Sequence, residues 1–373
     1  MDGQRCGIIT FHTPVNYGAV LQATALFSFV SKLFGKTEIV DYDTKELRQK
    51  YPFFRRSKGL LALFWFFYDL WFLPLKISKK RKFRRFLANH CIFSKKYKTY
   101  QSIKNSVLDY DVLLTGSDQV FRPNRDYQER NVFYLDLKTH GKKISYAASF
   151  GGVNPNEDVS EEIKRYLSDF AFLSVREKSG VDILRNLGFS GQLVLDPVFL
   201  LNKDEWKAVC SYEGWSEKNY ILYYALIDNP TYHHYVERLA SLLRKKVIVV
   251  GDINFKPFTK CRYIRNCGPA EFVRLVDGAD YVFTSSFHGV AFSLIFEKQF
   301  FSIEEDTVLK DRAFCLMNEL GVPYLSFYEV LELCKRGSMN YIDYGLISQK
   351  MTGEIQKSKQ FLINATGVQQ HGI

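Results

Sequence analysis

Two hydrophobic rhythms run through this chain. Short apolar runs at 7–11, 37–42, 110–115, 143–149 and 172–175 are bounded by small and polar residues, as strands are. Between them, 19–33, 159–169 and 181–187 carry apolar residues three and four apart, the spacing of a helix with one buried face. Gly35 closes the first of these helices. A second series starts near residue 215. Strands are expected at 220–225, 246–251, 281–283 and 300–303, alternating with helices at 232–243, 269–277, from 288 onward, and at 312–320, which Gly321 ends. A last helix is expected over 347–362, with a frayed tail over 364–373. Strand–helix alternation predicts an α/β protein with parallel sheets. The length, 373 residues, accommodates two domains. The pattern divides them as 1–210 and 211–345, followed by a C-terminal helix and tail over 346–373.

Polar residues cluster after the strands: Asn16, Asp118, Arg176 and His288. Open parallel sheets bind ligands at the carboxyl ends of their strands, so these loops are the candidate site. The most informative is Thr284-Ser-Ser-Phe-His-Gly289, a strand-to-helix turn. Such a turn gathers backbone N–H groups and the positive end of a helix dipole, and so suits an anion. A histidine there moves protons near neutral pH, or merely caps the helix.

The hydrophobic rhythm breaks over 45–104. Residues 60–75 are apolar and aromatic, interrupted only by Asp69 and Pro74, and a Lys/Arg run follows over 76–85. This segment changes the reading of the net charge. The chain carries +11, but 45–104 alone holds 17 Lys and Arg against Glu46 and Asp69, which leaves the remainder slightly acidic. The apolar run is shorter than the roughly 20 residues that span a bilayer. Aromatics flanked by cations suit a helix lying on anionic lipid, with Trp65, Phe66, Trp71, Lys79 and Arg81 as the contact residues. The alternative is a buried helix followed by a solvated basic one. No nucleic-acid-binding motif accompanies the cations, so nucleic acid is not an expected partner. The seven cysteines are scattered without a C-x-x-C pair, so neither a disulfide framework nor a metal site is indicated. The first residues run directly into a strand, and a cytoplasmic protein, peripheral at the inner face of the membrane, is expected.

Six motifs then occur in order: Asn-Tyr-Gly-Ala-Val-Leu-Gln (16–22), Gly-Ser-Asp-Gln-Val-Phe (116–121), Tyr-Ala-Ala-Ser-Phe-Gly (146–151), Ser-Val-Arg-Glu-Lys-Ser-Gly (174–180), Leu-Asp-Pro-Val-Phe-Leu-Leu (195–201) and Ser-Ser-Phe-His-Gly (285–289). Together they resemble the polysaccharide pyruvyl transferase family over roughly residues 5–325. The resemblance implies a GT-B-like fold, with two Rossmann-like domains facing across a cleft. It implies transfer of a pyruvyl group from phosphoenolpyruvate to a sugar, as a cyclic ketal, in capsular or exopolysaccharide synthesis. Phosphoenolpyruvate would be a co-substrate and no cofactor is expected.

The resemblance assigns roles by position. Arg176 matches the arginine that binds the donor and His288 the histidine of the strand–turn–helix motif. Asp118 would stabilise charge developing at the reacting carbon. Some members have Arg two places before the histidine, where this chain has Ser286. Ser286, the backbone amides of 287–290 (Phe287 and Gly289 among them), Arg312 or Lys310 would take its place in holding the donor. Asn16, Tyr17, Gly18, Gln22, Ser117 and Gln119 would line the cleft on the acceptor side, and the acceptor would be a sugar on a polyprenyl diphosphate. Two alternatives remain open at this point: a glycosyltransferase of the same fold class using a nucleotide sugar, and a non-catalytic sugar- or lipid-binding member.

Overall fold

The structure, a computed structural model, describes residues 3–48, 60–123, 128–211, 217–226, 230–251, 261–302 and 307–367. Contacts divide the chain into two compact units. The first comprises 1–77, 83–201 and 353–373, the second 78–82 and 202–352.

The first unit is built on a five-stranded parallel sheet of β1 (Arg5–Ile9), β2 (Lys36–Ile39), β3 (Val112–Thr115), β4 (Lys142–Ser145) and β5 (Phe170–Phe172), ordered β2-β1-β3-β4-β5. β1 pairs on both sides, with Cys6 opposite Thr37 and Val112. The two middle strands are buried on both faces, which is why they read as apolar runs without alternation. Gly7 on β1 lies under the Tyr110 ring, and a Cβ there would come within 2.6 Å of it. The first helix, Tyr17–Leu33, starts at Asn16, whose side chain accepts from the Ala19 amide.

The second unit has its own five-stranded parallel sheet of β6 (Tyr220–Tyr224), β7 (Lys246–Val250), β8 (Cys261–Ile264), β9 (Tyr281–Thr284) and β10 (Gln299–Ser302). Their order is β8-β7-β6-β9-β10. Leu222 on β6 sits opposite Ile248 and Val282. The first order is the flavodoxin-like one and the second the Rossmann one.

The sequence pattern placed most elements within a few residues. It missed β8, whose Cys-Arg-Tyr-Ile has no clean apolar signal, and the short helices Lys203–Cys210 and Phe327–Lys335. Both helices carry capping boxes, Asn202 with Glu205 and Ser326 with Glu329, which were available as signals. The aromatic and basic halves of the 45–104 segment form one helix, Leu60–His90, with Pro74 inside it. Its residues 78–82 group with the second unit, where Lys82 pairs with Glu271 at 2.6 Å.

The tail needs correction. The last helix, Tyr344–Thr366, continues through Asn364, with Ala365 and Thr366 buried; residues 368–373 lie outside the described part. From Gly353 onward it belongs to the first unit. Ser358 is buried there and its hydroxyl accepts from the Leu195 amide at 2.9 Å. Ser358→Ala leaves that amide buried without this acceptor. The expected loss is about 1–3 kcal/mol in a denaturant titration, and an unchanged midpoint would show the contact to be dispensable.

Candidate functional site

In open α/β sheets the crevice for ligands opens where the strand order reverses. The first unit reverses between β1 and β3, and the second between β6 and β9. The motif loops lie at these two places: 10–16 and 116–119 on the first unit, 285–289 on the second.

On the second unit, Ser285 and Ser286 follow β9, and helix Phe287–Ile295 begins at once. Ser286 is the N-cap residue but makes no side-chain capping bond; its amide donates to Thr284 Oγ1 at 3.0 Å. The turn is tight because Gly289 packs against Thr284, where a Cβ would come within 2.1 Å of Oγ1. His288 sits in the first helical turn, 8% exposed, edge-on to the Phe287 ring. Ser286, Phe287, His288 and Gly289 are thus brought together at the switch point. Arg312 is on helix Thr307–Leu320, and its side chain lies outside the described residues, as does that of Lys310.

On the first unit, Asp118 adopts a left-handed backbone (φ 73°), uncommon for a residue with a side chain. Its carboxylate is 24% exposed and 3.5 Å from Arg176. Arg176 is the centre of a buried ion cluster. Its Nη1 donates to Asp196 Oδ2 at 2.7 Å, and Nε lies 3.5 Å from Glu177. Ser117 donates to the same Asp196 oxygen at 2.9 Å. Burial works against the guanidinium's charge, but Asp196, Asp118 and Glu177 outweigh it and push its pKa up.

This geometry revises several expected roles. The Arg176 side chain is 1% exposed and faces three carboxylates, so its charge is already more than matched. It is placed to hold these strand-end loops together, not to offer a net positive charge to a donor. Ser117 is buried within the same cluster. Gln22 is fully buried and pins the loop after β1, donating to Thr10 Oγ1 and to the carbonyls of Phe11 and Ala19. Tyr17 is buried against the Phe83 ring, and Gly18 is buried in the first helical turn. Gln22, Tyr17, Gly18 and Ser117 therefore shape the site from behind. Asn16 and Gln119 remain partly exposed at the switch point. In the basic segment, Trp71 is 80% exposed and Phe66 and Arg81 are exposed, while Trp65 is half-buried. Lys79 is only 6% exposed and drops out of the proposed membrane contact, because it lies on the inward face of its helix.

Two residues at these strand ends escaped the sequence reading. His12, after β1, is buried with Nδ1 3.0 Å from the Thr10 carbonyl and Nε2 3.3 Å from Asp41 Oδ1. Burial pushes the Asp41 carboxyl up, but His12 and Lys96 together hold it below its ordinary value. The second residue is Arg130, which donates to the Gln119 carbonyl at 2.6 Å. Its sequence neighbourhood carries no motif; only the fold brings it to the switch point. No cluster of three potential metal ligands occurs among the described residues.

The fold and the placement of these loops define a class: an α/β protein of GT-B-like architecture with two Rossmann-like units. Solved structures bear this out as fold likeness alone. A UDP-N-acetylglucosamine 2-epimerase matches with TM-score 0.55 at 12% identity, covering 100% of this chain and 99% of that one. The UDP-GlcNAc 2-epimerase from Methanocaldococcus jannaschii matches with TM-score 0.50 at 10% identity, covering 93% and 98%. No curated protein matches the chain. The polysaccharide pyruvyl transferase family model matches residues 16–307, most of the chain, and the protein belongs to that family.

The ion cluster generates a prediction. Arg176→Met leaves three carboxylates without their cation and is expected to cost about 3–5 kcal/mol of stability. Denaturant unfolding checks this. A variant as stable as wild type that loses only donor binding would restore the donor-binding role.

Proposed function

We propose that the protein transfers the pyruvyl group of phosphoenolpyruvate to a sugar, closing a cyclic ketal, on a polyprenyl-diphosphate-linked acceptor used for capsular or exopolysaccharide. The observation that carries this reading is His288 at the second unit's switch point, in the first turn of a helix that Gly289 seats against the strand end. A helix N-terminus favours the donor's phosphate and carboxylate, and the Ser286 hydroxyl adds a donor where some relatives have arginine. His288 is the general acid. It protonates the enol methylene carbon, which leaves C2 electrophilic, and a sugar hydroxyl adds there. A second hydroxyl then displaces phosphate at C2 and completes the ketal. On the first unit, the Asp118 carboxylate is partly exposed and held by Arg176, and is available to an acceptor hydroxyl. No nucleotide takes part.

His288→Ala is expected to lower turnover about 10²–10⁴-fold with the fold intact. Phosphate release from phosphoenolpyruvate, dependent on a lipid-linked sugar and free of nucleotide, is the measurement. Near-normal turnover in a folded variant removes the acid role, and activity that needs a nucleotide sugar removes the reaction.

The same reading includes a membrane surface as partner. Along helix Leu60–His90 one face is exposed throughout, first as Leu63, Phe67, Leu70 and Trp71, then as Arg81, Arg84 and Arg85. Leu63 and Arg81 are separated by five turns, at about 3.6 residues each, and point the same way. Asp69, Phe83, Phe86 and Leu87 are buried on the opposite face. Among the described residues no helix is long and apolar enough to cross a membrane. A stripe that passes from aromatic to cationic fits the boundary of an anionic bilayer, at the inner face of the cell membrane, where lipid-linked sugars are built. Each cation near the surface contributes about 1 kcal/mol, screened by salt. Binding to anionic vesicles is expected to fall as salt rises, and Trp71→Ser with Phe66→Ser to weaken it while sparing activity on a water-soluble acceptor. Wild-type protein that ignores such vesicles at low salt, or that self-associates through this face instead, overturns the membrane reading.

A further inference from the structure

The first unit's switch point holds a second arginine whose situation is the reverse of that of Arg176. Arg130 lies in the 3-10 turn Gln128–Tyr134 and is 6% exposed. Among the described residues no carboxylate lies within ion-pair distance of it. Its guanidinium donates once, to the Gln119 carbonyl at 2.6 Å, and sits over the Phe11 ring at 5.6 Å. Its Nε is buried with no hydrogen-bond partner. Both contacts are strand-end residues: Phe11 follows β1, and Gln119 follows β3. Arg130 therefore stands between the two loops that flank the crevice.

A buried guanidinium with one carbonyl and one aromatic face for company is costly to keep. Burial pushes its pKa down and outweighs Tyr134 and Asp118, which act the other way, while the neighbouring Arg122 adds to the lowering. Asp118, the acid whose charge reaches it, is already engaged by Arg176. Arg122 is exposed and donates to Gln119 Oε1 at 3.1 Å, so a second cation stands on the same residue. Two guanidinium groups around Gln119, one of them buried with no carboxylate at ion-pair distance among the described residues, make a setting that an anion would complete. Guanidinium groups grip phosphate oxygens in pairs, which sets the class of anion.

We propose that Arg130, assisted by Arg122, is a phosphate-binding subsite at the switch point of the first unit. The phosphate is that of the acceptor's diphosphate, since the donor's is assigned to the second unit; donor phosphate at Arg130 is the outcome that would move that assignment. The subsite itself stands on a buried guanidinium with no carboxylate at ion-pair distance among the described residues; only the identity of the molecule that brings the phosphate rests on the proposed reaction.

The test is direct binding by calorimetry, with inorganic pyrophosphate and phosphoenolpyruvate as probes, on the full chain and on Arg130→Met. The wild type is expected to bind pyrophosphate, and Arg130→Met to bind it at least tenfold more weakly while unfolding at the same temperature or higher. Phosphoenolpyruvate weakened in parallel assigns the donor's phosphate; phosphoenolpyruvate unchanged assigns the acceptor's diphosphate. Should Arg130→Met fail to fold, Arg130→Gln retains a donor for the Gln119 carbonyl without the charge and is read in the same way. Equal pyrophosphate binding in wild type and variant, or none in the wild type, overturns the subsite. Pyrophosphate binding through Arg130 in a protein that transfers no pyruvyl group keeps the subsite and removes the reaction. Unimpaired transfer with unimpaired binding in the variant does the opposite.

Discussion

A parallel sheet ends all of its strands on one edge, and the crossover helices return the chain to the other. The rest of this protein depends on that constraint. It collects loops distant in sequence, after Ile9 and Thr115 in the first unit, and after Tyr224 and Thr284 in the second. The reversal of strand order then separates two neighbouring loops enough to leave a crevice. His288 falls beside the crevice of one unit, and Asp118, Gln119 and Arg130 beside that of the other. Tight packing at the same points keeps these loops in place. Gly289 lies against Thr284, and Gln22 ties its helix to Thr10 and Phe11.

Charge at the first unit's strand ends is divided between two arginines with different work to do. Arg176 faces Asp196, Glu177 and Asp118, and Ser117 adds a hydrogen bond to the same network. Such a cluster is rigid, and breaking it leaves buried charge, so it suits a scaffold beneath the site. Arg130 has a carbonyl and an aromatic ring, and no carboxylate at ion-pair distance among the described residues. The presence of cations in a motif is thus a weak guide to anion binding. What matters is how many carboxylates already hold each one.

Helix Leu60–His90 shows the same principle on the surface. Its composition alone suggests an aromatic segment and a separate basic one. As one helix, it presents both characters along a single exposed face and sends Asp69, Lys79 and Phe83 inward. The buried members of this run are as much a part of its sequence as the exposed ones.

The sequence by itself determined the α/β class, the positions of most strands and helices, the family and the place of His288 in a strand-to-helix turn. These depend on local period and on short motifs, which are written in consecutive residues. Even the elements it missed, such as Lys203–Cys210, had local capping signals. Only the tertiary structure decided which motif residues are available to a ligand. Gln22, Tyr17, Ser117 and Arg176 lie in conspicuous motifs yet are taken up by packing, hydrogen bonds or ion pairs, whereas Arg130, equally buried, lies in no motif and has no carboxylate at ion-pair distance among the described residues. Tertiary structure also assigned the last helix, from Gly353 onward, to the first unit and turned Lys79 inward. The physical reason is common to all of these. Burial and charge compensation depend on neighbours tens to hundreds of residues away, and a period or a motif carries no record of them.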